Sequence, residues 1–108
     1  MNVHPVEQGL SEIADLCAEM IAKARETKSS VDMWEFLLRI GMHRKFLDEL
    51  ANDRRLKAQL VAKRADELLE SAIIIAKNPH SRSSRRLIKR MDRCLASIDK
   101  HLPELVRR

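Results

Sequence analysis

Apolar residues recur at helical steps through most of the chain. Val6, Leu10, Ile13, Ala14, Cys17, Met20, Ile21 and Ala24 form one narrow stripe, which predicts a helix from about Val6 to Glu26. Thr27, Lys28, Ser29 and Ser30 interrupt it, and Ser29 followed by Asp32 resembles a capping box for a second helix over about Ser30 to Ile40. A short helix from His43 to Ala51 is expected next, then Asn52 and Asp53 as caps for a long helix from about Arg54 to Lys77. Its main stripe is Ala58, Val61, Ala62, Ala65, Leu68, Leu69, Ala72, Ile73 and Ala76. The stretch "NPHSRSS" breaks the chain, because proline cannot continue a helix. A last helix runs from about Ser84 to His101 and stops near Pro103. With only 2 Gly and 3 Pro and 34% charged residues, the composition fits long helices and argues against a sheet. The expectation is an all-α fold of four to five helices in a single domain over 1–108. Residues 6–52 would form a DNA-binding part and 54–102 a helical hairpin.

The least regular stretch is "MWEFLLRIGMHRKFLDELAN", Met33 to Asn52, and it has two readings. As a helix-turn-helix, it needs apolar residues at Phe36, Ile40, Met42, Leu47 and Leu50 with glycine at 41, and it has them all. Gly41 would then take the left-handed conformation of the turn. Leu56 and Leu60 would pack beneath it. As one uninterrupted helix, the segment places Met33, Phe36, Leu37, Ile40 and Leu47 on a common face, with Gly41 costing about 1 kcal/mol. Phe46 and Leu50 lie off that face and favour the break. In the first reading His43, Arg44, Lys45 and Asp48 face base edges in the major groove, and Arg39 lies near phosphate. The three aromatics, Trp34, Phe36 and Phe46, fall in this window and are expected in the core rather than stacked on bases.

The run "MWEFLLRIGMHRKFLDELANDRRLKAQLVAKRADELLESAIIIAKNP" resembles the amino-terminal part of phage terminase small subunits. The resemblance covers about residues 33 to 79. It is carried by Gly41, by Leu50 before "AND", by Leu56 and Leu60, and by "RADELLESAIIIAKNP". It implies a helix-turn-helix joined to an oligomerisation hairpin, and recognition of viral DNA for packaging.

Charge adds an independent signal. Residues 7–38 carry three basic and seven acidic groups, while residues 80–108 carry nine basic and three acidic groups. The last helix sorts itself into two sides. Leu87, Ile88, Met91, Cys94, Leu95, Ile98 and Leu102 form an apolar face, and Arg82, Arg85, Arg86, Lys89, Arg90, Arg93 and Lys100 lie opposite if the helix is extended back to Arg82. Like charges at i,i+4 destabilise a helix by roughly 0.2–0.5 kcal/mol per pair, and an anionic partner relieves that repulsion. Double-stranded DNA is the favoured partner. An acidic protein bound by a helical adaptor, chaperone or inhibitor is the alternative, and a membrane is the weakest candidate because the apolar face lacks Trp and Phe.

Ile74 lies away from the main stripe of its helix, and with Ile75 it would offer a second apolar surface to a neighbouring subunit, so a homo-oligomer is expected. Cys17 and Cys94 have no metal-ligand spacing and read as buried thiols of a reducing cytoplasm. The four histidines are scattered, and there is no glycine-rich phosphate loop. Neither an enzyme nor a cofactor is expected. No apolar run is long enough to span a bilayer, and the amino terminus lacks the pattern of a secretory signal.

Overall fold

A computed structural model describes residues 4–28 and 31–106, and within them the fold is all-helical. Helix α1 spans Pro5–Thr27, a single 3-10 turn spans Met33–Phe36, and α2 follows directly over Leu37–Ala51. Helices α3 (Leu56–Lys77) and α4 (Ser84–Leu105) complete the chain. Helix α1 begins where proline can begin a helix. Pro5 needs no amide partner in the first turn, and the His4 Nδ1 accepts from the Val6 amide at 3.1 Å. It ends at Lys28, whose left-handed backbone (φ 56°) stops the helix. Asp32 caps the 3-10 turn by accepting from the Trp34 amide at 3.0 Å. Its expected partner in a capping box, Ser29, and the expected start at Ser30 lie outside the described residues.

Helix α3 is the centre of the molecule, and α1, α2 and α4 each pack against it. Its buried positions run Ala58, Val61, Ala62, Ala65, Leu68, Leu69, Ser71, Ala72, Ile75 and Ala76. Such broad burial is what a helix surrounded by others requires. The five alanines let neighbouring backbones approach. The buried Ser71 hydroxyl donates to the Glu67 carbonyl of its own helix at 2.8 Å, so the central helix carries no unpartnered hydroxyl. The Val31 amide donates to the Ala76 carbonyl at 3.0 Å, which ties the segment entering the 3-10 turn to the end of α3.

The helix-turn-helix is not formed. Helix α2 passes through Gly41 without a break, and Gly41 does not take a positive φ. The uninterrupted reading holds, but with a different buried face. That face is Phe36, Ile40, His43, Leu47 and Leu50, spaced four, three, four and three residues apart. His43 fills the middle of it, and once it is counted as buried, Leu50 is in register. Leu37 and Met42, both expected inside, are exposed, and so is Trp34. Leu56, expected beneath the motif, is 79% exposed at the start of α3. The glycine that matters to packing is Gly9. A Cβ there would lie 2.5 Å from the Phe46 ring, so its absence lets α1 and α2 meet, whereas a Cβ on Gly41 would have no neighbour within 4 Å.

Helix α4 also runs further than expected, past Pro103 to Leu105. Proline forfeits one hydrogen bond there, on an exposed side where water can satisfy the freed carbonyl. The extension buries Leu105, and the Arg55 Nη1 donates to the Leu105 carbonyl at 3.3 Å. The two glycines should respond oppositely to alanine. In dilute solution Gly41→Ala should raise the unfolding free energy by up to about 1 kcal/mol through helix propensity. Gly9→Ala should lower it by about 1 kcal/mol, overpacking against Phe46 outweighing the same gain. Urea unfolding of both variants checks the pair.

Candidate nucleic-acid interface

Of the four residues assigned to base reading, His43 and Arg44 are engaged within the fold, as is Arg39, assigned to phosphate. Arg39 Nη1 reaches Glu19 Oε2 of α1 at 2.5 Å, and that pairing holds the Glu19 carboxyl below its ordinary range and the guanidinium above its own. Arg44 Nη1 lies 3.9 Å from Asp66 Oδ1 of α3. His43 is 9% exposed, packed between α2 and α1, which removes it as a base contact. Burial pushes its imidazole below the ordinary value, nearby Glu12 acts the other way, and Arg39 adds to the lowering. Lys45 and Asp48 remain exposed on α2. Within 39–48, Arg39 and Arg44 tie α2 to its neighbours, and Lys45 and Asp48 are left facing solvent.

The basic side of α4 is different in kind. Arg85, Arg86, Lys89, Arg90 and Arg93 are exposed on it, and Arg82 is exposed in the turn before it, because the helix starts at Ser84 and does not extend back to Arg82. Among the described residues none of the six makes an ion pair, whereas Lys23, Arg39, Arg44, Arg55 and Arg64 each have a carboxylate. Met91, Cys94, Ile98 and Leu105 of the same helix are buried, so core packing holds the basic side outward. The first turn of α4 has no acidic residue and no side-chain cap. Arginines at that end oppose the helix dipole, which favours negative charge at an N-terminus. The helix therefore tolerates like-charge neighbours and an unfavourable dipole at the same end.

One carboxylate, which sequence reasoning missed, borders this face. Glu67 of α3 accepts from Arg64 Nη1 at 3.0 and 3.1 Å and lies in a cleft with Arg90, Arg93, Cys94 and Ser97. Cys94 Sγ sits 3.6 Å from Glu67 Oε2, and burial, followed by that carboxylate, pushes its thiol up. Its position three residues after Arg64 is legible in the sequence, but its approach to α4 is not. Both cysteines are buried free thiols, and burial pushes Cys17 up to about 12.

The second apolar surface expected at Ile74 and Ile75 is not formed as a pair. Ile74 is 42% exposed, but Ile75 is 4% exposed and belongs to the core, because α3 is covered on more than one side. Among the described residues no cluster of three or more His, Cys, Asp or Glu side chains is placed to hold a metal ion, and no helix is long and apolar enough to cross a membrane.

No protein family, curated protein or solved structure matches this chain.

The burial of His43 has a measurable consequence. Its folded pKa lies below the unfolded value near 6.5, so the unfolded chain takes up the proton first on acidification. The stability this contributes is complete above that unfolded value and is lost as pH falls through the folded one. Unfolding midpoints compared at neutral pH and in mild acid should therefore fall more for the parent than for His43→Gln. Equal losses would show that His43 titrates alike in both states.

Proposed function

We propose that this protein binds double-stranded DNA through the outer side of α4, gripping the phosphate backbone rather than base edges. The observation that carries this reading is the set of six exposed cations from Arg82 to Arg93, none of which makes an ion pair among the described residues. The nine helical residues from Arg85 to Arg93 span about 13 Å at 1.5 Å each. A duplex carries one negative charge per ~1.7 Å with both strands counted, so that length of duplex holds about eight phosphates, comparable to the number of cations. Binding removes the i,i+4 repulsions among Arg85, Lys89 and Arg93 and between Arg86 and Arg90, so polyanion and helix stabilise each other. A DNA partner also fits a compartment in which both thiols stay reduced. The packaging role implied by the terminase resemblance is not part of this proposal, since the helix-turn-helix that implied base recognition is not formed.

Fluorescence anisotropy with a labelled duplex across a salt series tests the reading. With four to six cations engaged, raising salt from 50 to 200 mM should weaken binding by roughly 10²–10³-fold. Paired charge reversals, Arg86→Glu with Arg90→Glu, should abolish binding without loss of helicity. Arg44→Ala should leave it unchanged, since that side chain is turned toward Asp66. Absence of binding to any duplex at 50 mM salt overturns the proposal and favours an acidic protein as the partner of α4.

A further inference from the structure

The outer side of α2 is apolar where a surface helix is normally polar. Trp34, Leu37, Leu38 and Met42 are 79%, 49%, 77% and 63% exposed, on the side opposite the buried Phe36, Ile40, His43, Leu47 and Leu50. Together they display on the order of 500 Å² of apolar surface, at the upper end of what a monomer ordinarily leaves in water. Gly41 lies in the middle of this face with open space above it, and Lys45 lies one turn further on.

We propose that this face is the contact between two copies of the chain, packed as an antiparallel helix pair about a twofold axis between Leu38 and Gly41. An isologous contact requires a surface that complements itself, and this one does. The axis sets Leu38 of each copy over Gly41 of the other, so the side chain fills the space where a Cβ is missing. It also sets Trp34 of each copy against Lys45 of the other, whose stem covers the indole while its ammonium lies over the ring or reaches water. The bare Gly41 allows the close interaxial approach that small contact residues permit.

Charge and area support a second copy over a charged partner. Glu35 pairs with Lys23, Arg39 with Glu19 and Arg44 with Asp66, and the exposed Lys45, Asp48 and Glu49 at the far end of the face carry both signs. Two like surfaces can therefore meet with little net repulsion, and a partner of one charge sign would find no run of opposite charge on the face. Two such faces bury roughly 1,000 Å² in total, the lower bound for a specific interface. This contact is independent of the basic side of α4.

Sedimentation equilibrium of the full chain, from low to high micromolar concentration, tests it. The parent should fit a monomer–dimer equilibrium. Leu38→Glu and Gly41→Leu should each weaken dimerisation about tenfold or more. Gly41→Leu is the more telling variant. A Cβ there meets nothing within 4 Å in its own copy and leucine favours helix, so helicity should be retained, yet the side chain occupies the space that Leu38 of the other copy needs. Ile74→Glu should leave dimerisation unchanged. A parent that is strictly monomeric at high micromolar concentration overturns the proposal. So does an open series of oligomers, or a folded Gly41→Leu variant that dimerises as the parent does.

Discussion

Three helices share one central helix, and the rest of the molecule follows from that constraint. Helix α3 can be approached from several sides because alanine fills positions 58, 62, 65, 72 and 76. Larger residues there would hold the neighbouring backbones apart, since cores pack at near-crystalline density. The arrangement also confines polar groups. Cys17 Sγ approaches the Leu68 carbonyl at 3.9 Å and Ser71 bonds its own helix, and among the described residues no buried side-chain nitrogen or oxygen lacks a partner. Because α1, α2 and α4 each lean chiefly on α3, their outer sides are left to differ. One is acidic, one apolar and one basic.

Sequence periodicity revealed the helices that have one apolar side. The stripes of α1, α3 and α4 were legible to within a few residues at their ends. Helix α2 was not, because it is apolar on two sides and carries a histidine in its buried face. Counting His43 as polar moved the apparent stripe toward Met33 and Leu37, left Leu50 stranded, and made a turn at Gly41 look necessary. Gly9 attracted no notice, since its role depends on Phe46, which lies thirty-seven residues away in sequence but within contact distance in space. Ile75 was misplaced for a related reason, as α3 has neighbours on several sides and its burial extends beyond its main stripe.

The candidate interface divides along the same line. The unbroken run of basic positions on α4 was readable because i,i+4 spacing fixes which side chains share a side. The engagement of Arg39 with Glu19 and of Arg44 with Asp66 was not, since it depends on how helices distant in sequence come to lie together. Arginine content alone does not distinguish a structural tie from a binding group. The presence or absence of an ion pair separates the two sets of arginines in this fold.

The separation of the charged helices has a further consequence. Glu12, Asp15, Glu19 and Glu26 are exposed on α1, and α1 and α4 are held apart along part of their length by a groove floored by Cys17 and Leu68. Opposite charges thus stand on different flanks of α3 and give the molecule a permanent electric dipole moment. In the field of a polyanion such a body experiences a torque before any contact forms, one that turns α4 forward and α1 away. The Debye length is about 10 Å at 0.1 M salt, so this alignment acts over roughly the width of one helix. Encounters would begin already oriented, and dilute salt would lengthen the distance over which they are.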